Sequence, residues 1–295
     1  GFTINSAPLE ASEVFATAII KAARQHGQYR QHHHAAILNS RYLTMNNELD
    51  MIAAQFIEAG KPALRCYVED LSYRAGCLYF QDMPIDICFN KFDDSHGAEA
   101  YESAFSRSDA EVAAYTQAVA EHAVFCSNTF ASMYLPENKS ILALLWSPLL
   151  QTYLSTDEIA LIQEIIPYTR LLRDLTENEF KHLLSNKSEM VLKRSLDTRG
   201  RSVVIGRDVT QTEWQEALQQ ARAVQQLEEF VVQELSPVET LTAQLPAQHR
   251  ACHYFTSLAC FMIQGKAQGI IVRSSAEATT NVARNGFVQP FALIG

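Results

Sequence analysis

Residues 191–206 of the chain read VLKRSLDTRGRSVVIG, and this stretch decides the fold. Two short runs of β-forming residues flank a polar loop that contains Gly200, and this pattern predicts a β-hairpin. Lys193 lies on the first strand, where its ammonium group can reach a phosphate while the loop folds over it. A solvated hairpin is the alternative, because most lysines are exposed. The segments around the hairpin favour the first interpretation.

These flanking segments supply the other parts of a mixed α and β structure. We predict helices at residues 138–145, 157–166 and 212–226, the second opened by Ser155 or Thr156 as N-cap. We predict strands at residues 230–233, 254–264 and 268–272, the last two antiparallel across Gly265. No low-complexity segment separates these elements, so we expect directly joined domains.

The first part of the chain has the pattern of a β-α-β unit. After a helix at residues 10–25, we predict a strand at 35–38, a helix at 48–59 and a strand at 63–68. Parallel strands joined by a helix imply a sheet covered on its faces, with binding groups at the strand ends. Residues 77–80 and 85–89 predict a hairpin with Asp82 and Asp86 near its turn. A helix at 109–122 and a short strand at 123–125 follow.

In this order the segments resemble the ATP-grasp fold, in which two α+β subdomains hold ATP between them. The resemblance includes NKSILALL at residues 138–145 and the strand and turn at 231–237. LSYRAGCL at 71–78 and PIDI at 84–87 are similar to uncharacterised and circularly permuted ATP-grasp proteins related to glutathionylspermidine synthase. The resemblance implies an α/β and α+β fold class. It divides the chain into an α/β pre-ATP-grasp-like domain at 1–135, a helical portion at 136–189 and a nucleotide-binding subdomain at 190–295.

The resemblance also implies roles for individual residues in binding ATP. Lys139 and Lys193 correspond to two lysines that contact the phosphates. Gln233, Glu234 and the residue after them correspond to the hinge that meets adenine through backbone groups, and Glu239 corresponds to a ribose ligand. These roles agree with the chemistry, because a triphosphate needs cations and adenine needs an apolar slot with a few polar partners.

The metal site is where the sequence departs from the ATP-grasp pattern. Mg²⁺ prefers carboxylate and phosphate oxygens, and members of this family carry an acid on a late strand and a Glu-x-Asn motif. Asn281 fits the asparagine, but Thr279 stands two positions before it and the strand at 254–264 contains no acid. Glu277 is the nearest carboxylate and completes the predicted metal pair. Asn281 also fits a turn, because Asn285-Gly286 nearby is a turn signal.

The resemblance implies an ATP-dependent ligase that joins a carboxylate to an amine or a thiol through an acyl phosphate. Its partners would be a small-molecule carboxylate and amine, with ATP and Mg²⁺ as cofactors and Arg273 stabilising the charge that develops. A nucleotide-binding or scaffold protein that has lost its metal-binding acids is one alternative. A fragment of a larger ligase is another.

Composition excludes several other classes of function. The 295 residues are 47% hydrophobic, enough for a sizeable core, and the net charge of −9 leaves no basic stripe for nucleic acid. No apolar run is long enough to span a membrane and no signal-peptide pattern is present, so we predict a cytoplasmic protein. The usual P-loop, Rossmann, zincin and hydrolase motifs are absent from the sequence. Composition does not decide between a monomer and a homo-oligomer.

Histidines and cysteines give weaker signals. The run at residues 32–34 is expected to be exposed loop, and His249, Cys252 and His253 match no zinc-binding spacing. The six cysteines include no C-x-x-C pair and have apolar neighbours, which predicts buried, reduced thiols. They are Cys66, Cys77, Cys88, Cys126, Cys252 and Cys260.

Overall fold

The structure is a computed structural model that describes residues 11–41, 46–91, 109–197, 200, 202–224, 228–238, 240–243, 250–280, 282 and 286–289. The chain forms two compact units. The first unit comprises Gly1–Met133, Leu258–Val272 and Gln289–Gly295, and the second comprises Tyr134–Ser257 and Arg273–Val288.

A six-stranded sheet forms the centre of the first unit. Its order is β2-β1-β5-β4-β3, with β6 paired to β5. The strands are β1 (His34–Asn39), β2 (Ala63–Tyr67), β3 (Leu71–Arg74), β4 (Cys77–Phe80), β5 (Met83–Asn90) and β6 (Phe125–Cys126). The helices are α1 (Ala11–Gln25), α2 (Asn46–Glu58) and α3 (Asp109–Ala120). β1 runs parallel to β2 and β5, whereas β3, β4 and β5 are antiparallel neighbours.

Helices cover both faces of this sheet because four successive residues of β1, residues 35–38, are apolar and buried. Ala36 and Leu38 of β1 belong to one buried cluster with Tyr115 of α3. Ala35 and Ile37 of the same strand belong to a second buried cluster with residues of α1 and α2. Successive side chains of a strand point to opposite faces, so one apolar strand supplies both cores. The predicted β-α-β unit is confirmed.

Asp86 lies inside β5 and not at the hairpin turn, contrary to the sequence prediction. Its carboxylate is 2.7 Å from Lys61 Nζ, and both side chains are almost fully buried. Lys61 Nζ also donates to Arg30 O at 2.7 Å and lies 4.4 Å from the ring centre of Tyr29. A buried carboxylate is tolerated here because a buried cation with further partners neutralises it.

Two further boundaries in the first unit differ from the prediction. The predicted hairpin is part of a three-stranded antiparallel group, because β3 pairs with β4. The strand predicted at 123–125 is β6, which begins at Phe125. His122 has a positive φ of 56°, and this left-handed conformation turns the chain after α3 before β6 begins.

The second unit contains a four-stranded antiparallel sheet in the order β7-β10-β8-β9. Its strands are β7 (Thr169–Leu171), β8 (Met190–Arg194), β9 (Val203–Ile205) and β10 (Phe230–Glu234). Helices α8 (Glu177–Ser185) and α9 (Gln211–Val224) cover one face, where Leu192 and Val232 pack with the fully buried Trp214. Alternation along the strands therefore directs Lys193 and Gln233 to the opposite face.

Four short helices precede this sheet in the chain: α4 (Phe130–Glu137), α5 (Ser140–Leu145), α6 (Pro148–Gln151) and α7 (Thr156–Ile165). α7 begins as predicted, with a capping box between Ser155 and Glu158. The predicted helix at 138–145 starts later, at Ser140, because Asn138 Oδ1 accepts from the Ser140 N–H and Lys139 is the N-cap.

A third sheet with the order β11-β12-β13-β14 is built from the last part of the chain. Its strands are β11 (Thr240–Ala243), β12 (Cys252–Ile263), β13 (Lys266–Ser275) and β14 (Phe287–Gln289). β12 and β13 turn at Gln264 and Gly265, both with positive φ, as the sequence predicts for Gly265. The short strands β7, β11 and β14 were not predicted.

The cysteines are free thiols, but they differ in exposure. Cys66 and Cys88 are buried, and burial raises the pKa of the Cys66 thiol to about 12. Cys260 is exposed, contrary to the sequence prediction. Its neighbours Phe261 and Met262 on β12 are exposed as well. Apolar neighbours in the sequence therefore did not predict a buried cysteine at this position. Among the described residues, no helix combines the length and apolar character required to cross a membrane.

Candidate functional site

Lys193 lies on the face of the β7-β10-β8-β9 sheet opposite α8 and α9. Its Nζ donates a hydrogen bond to Gln233 Oε1 at 2.5 Å. Burial lowers the pKa of Lys193, and the nearby charge of Lys139 lowers it further. Two cations therefore lie close together in a region of reduced hydration, which an anion would stabilise.

Lys139 is fixed at the end of β8 by the segment that begins the polar loop. Its backbone N–H donates to Ser195 O at 2.9 Å, and its Nζ donates to Asp197 O at 2.6 Å. Burial lowers the pKa of Lys139, although Asp197 and Glu137 act in the opposite direction. The Ser195 hydroxyl is buried and has no hydrogen-bond partner within the described part of the chain. An unpartnered buried hydroxyl beside two lysines can contact a bound anion.

Gln233 connects Lys193 to the edge strand of the sheet. Its Nε2 donates to Thr169 Oγ1 at 2.8 Å, and Thr169 Oγ1 donates in turn to Pro167 O at 2.8 Å. Gln233 is 6% exposed and Thr169 is fully buried. The sequence prediction gave Thr169 no role. The available signal was its position two residues after Pro167.

The predicted hinge at Glu234 has part of its backbone already engaged. The Glu234 N–H donates to Tyr168 O at 2.9 Å, and the Leu235 N–H donates to Glu189 O at 2.7 Å. The Glu234 side chain is exposed. These two N–H groups are therefore not free to contact a nucleobase.

The remaining predicted residues are not brought to the lysines by any contact within the described ranges. Arg273 and Glu277 are both exposed. Glu277 lines a cavity of about 470 Å³ together with Asp208 and Thr279. Lys139 and Lys193 are not among the lining residues of this cavity. Glu239 and Asn281 lie outside the described residues.

The described residues do not fit a dedicated magnesium site. Among them, no group of three or more histidine, cysteine, aspartate or glutamate side chains is placed to hold a metal ion. Asp208 shares a cavity with Glu277, but its carboxylate lies 3.4 Å from Arg207 Nε. His253 Nδ1 is 3.0 Å from Thr242 Oγ1, and His249 lies outside the described residues.

Gly200 in the polar loop approaches the segment that carries Glu277. Its φ is +68°, and a Cβ added there would lie 2.8 Å from Thr279 Cγ2. Only glycine meets both conditions without strain. The loop after Lys193 therefore packs against the segment that follows β13.

A separate cavity of about 640 Å³ lies beside α5 and β7. Trp146, Tyr168, Leu171, Arg173 and Glu229 are among its lining residues, and Arg173 Nη1 is 2.8 Å from the Glu229 carboxylate. Its lining does not include Lys139 or Lys193. We therefore place the candidate site at the lysines, where charge and hydrogen bonding point to an anion.

The predicted α/β and α+β fold class is confirmed by the sheets and helices of the chain and by a fold that it shares with a solved structure. The chain is similar to a glutathione synthetase-like effector from Globodera pallida in its apo form, with a TM-score of 0.52 and 10% sequence identity over 88% of this chain and 58% of that one. A D-cycloserine synthetase matches with a TM-score of 0.44 and 13% identity, over 68% of this chain and 59% of the other.

The chain thus spans less than three fifths of the length of either structure. At 10% identity, the similarity to the first structure establishes a shared fold and not a shared activity. The TM-score of 0.44 for the second structure is too low to establish a shared fold. No protein-family model matches the chain, and no curated protein matches it.

Proposed function

We propose that the chain binds ATP and takes part in the ligation of a carboxylate to an amine or a thiol. The observation that carries this proposal is the pair of partly buried lysines, Lys193 on β8 and Lys139 at the end of that strand, whose pKa values are lowered by burial. Bringing two cations into a partly buried region is unfavourable unless an anion joins them. A triphosphate supplies that charge, and the fold shared with a glutathione synthetase-like protein supports the choice.

In this proposal each residue has a role that follows from its position. Lys139 and Lys193 hold phosphate oxygens, and the Ser195 hydroxyl supplies a further contact. A carboxylate oxygen of the substrate attacks the γ-phosphorus and ADP leaves. The amine or thiol then attacks the acyl carbon, and phosphate leaves. The lysines lower the barrier by stabilising charge on the transferred group, since positioned electrostatics dominate such transfers.

Three further roles are proposed from the sequence. Arg273 stabilises the charge that develops, Glu234 and Glu239 bind the nucleotide, and Glu277 with Asn281 binds Mg²⁺. The structure does not test these assignments, and we derive no step through a metal. The carboxylate and amine partners, the domain boundaries at residues 135 and 189, and the oligomeric state also stay predictions.

A scaffold that binds nucleotide without turnover is the second candidate. It is favoured by the exposure of Arg273 and Glu277 and by the lack of a contact between them and the lysines within the described residues. Under this candidate the lysines still bind ATP, but no group completes the transfer.

Phosphate release tests which candidate holds. We expect slow or undetectable ATP hydrolysis by the chain with Mg²⁺ alone, because the described residues supply lysines and no carboxylate cluster. A carboxylate and amine from a panel of amino acids and polyamines should accelerate release in the wild type and in Lys181→Met, an exposed control, but not in Lys193→Met.

Acceleration that needs both substrates supports the ligase. ATP binding with no acceleration by any pair supports the scaffold. Rapid release without substrate that survives both Lys193→Met and Asn281→Ala would refute the proposed roles of the lysines and of the metal pair.

A further inference from the structure

The Thr169 hydroxyl has one proton, which it donates to a backbone carbonyl oxygen. Thr169 Oγ1 donates to Pro167 O at 2.8 Å, so toward Gln233 the same oxygen is an acceptor only. The Gln233 amide therefore faces Thr169 with its nitrogen, and Nε2 donates to Thr169 Oγ1 at 2.8 Å. The orientation of the amide is thereby fixed by a buried neighbour.

The other end of the same amide faces Lys193. With Nε2 turned to Thr169, Oε1 is the atom presented to Lys193 Nζ, at 2.5 Å. A rotated amide would point its donors at an ammonium group, which has donors only. Because Thr169 is fully buried and Gln233 nearly so, water does not compensate for the wrong orientation.

We propose that Thr169 and Gln233 are positioning residues that hold Lys193 for the phosphates of the nucleotide, an inference that rests on the proposed function. The ammonium has three donors, and Gln233 Oε1 takes one of them, which leaves two for phosphate oxygens. A neutral amide orients the cation without cancelling its charge. A glutamate at position 233 would orient it equally well but neutralise it.

Three substitutions separate this role from simple packing. Thr169→Val keeps the branched shape that suits a strand and removes the hydroxyl. Thr169→Ser keeps the hydroxyl and serves as the matched control. Gln233→Glu keeps the length of the side chain and tests the proposal should Thr169→Val fail to fold.

The first measurement needs no nucleotide. The pKa of Lys193 is followed by NMR of the full chain with ¹³Cε-labelled lysine, the signal being assigned with Lys193→Met. We expect Thr169→Val to lower this pKa by about one pH unit, because the ammonium loses an oriented acceptor. Thr169→Ser should leave the pKa of Lys193 unchanged, and Gln233→Glu should raise this pKa. The neighbouring charge of Lys139 is present in every variant. An unchanged pKa in both Thr169→Val and Gln233→Glu overturns the proposal.

The second measurement is calorimetric ATP binding. Thr169→Val should weaken binding about three- to tenfold, as expected for one lost hydrogen bond, and should have no effect in a Lys193→Met background. Equal losses in the two backgrounds would mean that Thr169 acts on packing and not through Lys193. If the wild type binds no ATP, the proposed function fails, while the pKa measurement still decides whether Thr169 and Gln233 control Lys193.

Discussion

At the scale of single residues, the charge state of two lysines determines what the site can bind. Burial is the main cause of the lowered pKa of both Lys139 and Lys193. Because each pKa lies below the ordinary value of 10.5, the unfolded chain holds these protons more tightly than the folded chain in the window between the two values. Raising the pH through that window stabilises the fold and at the same time removes the charges that attract phosphate.

This relation predicts the pH dependence of ATP binding. We expect affinity to fall as the pH rises toward the ordinary lysine value of 10.5, and at lower pH than for lysines of ordinary pKa. Replacing both residues with arginine should flatten the profile, because arginine keeps its charge over this range. Calorimetry at several pH values measures it. A steep profile in the double arginine variant would show that other groups titrate.

The sequence alone could name Lys139, Lys193 and Gln233, because the segments that carry them resemble ATP-grasp segments. It could not assign Thr169, whose partner Gln233 is 64 residues away and meets it only through the pairing of β7 with β10. The buried pairing of Lys61 with Asp86 was not predicted for the same reason. Contacts between distant segments depend on strand register, which no local pattern specifies.

At the scale of elements, α8 is tied to the edge of its sheet by one carboxylate. Thr176 and Glu179 form a capping box at the start of α8, and Glu179 Oε1 also accepts from Arg170 Nη1 on β7 at 3.0 Å. Hydrogen bonds from Thr176 are the main cause of the lowered pKa of Glu179, with Arg170 contributing less. The stabilisation is therefore present above the ordinary value of 4.5 and is lost as the pH falls through the lowered pKa.

Thr176→Ala is predicted to lower the free energy of unfolding by about 1 kcal/mol at neutral pH, because the first turn loses its cap. Thr176→Ser should change it little. Urea unfolding followed by tryptophan fluorescence measures this, since both tryptophans of the chain, Trp146 and Trp214, belong to the second unit. The difference from wild type should shrink in acid. A difference that stays constant down to acid pH would contradict the role given to Glu179.

Elements with a distinctive local pattern were predictable even where they are short. β8, β9, α9 and β10 follow the prediction closely, because β-forming residues or helical spacing extend over the whole element. α8 was missed although its start has the same capping-box pattern as α7, since its buried stripe within nine residues rests on Phe180 and Leu183. Its place is set by packing on Leu192 and Val232 of the sheet.

At the scale of the whole molecule, net charge opposes the binding of a nucleotide. The chain carries a net charge of −9, so a polyanion is repelled at long range. Any preference for additional phosphates must therefore come from local cations. Lys139 and Lys193 are two partly buried cations that the structure brings together at β8.

The most direct test of this account is a calorimetric comparison of AMP, ADP and ATP binding at low salt. The account predicts that affinity rises with each phosphate, by about tenfold or more from AMP to ATP, and that Lys139→Met and Lys193→Met each remove most of this rise. Lys181→Met, an exposed control on α8, should keep it. Affinities that are equal for the three nucleotides, that decrease with phosphate number, or that are unchanged in both lysine variants would contradict the account.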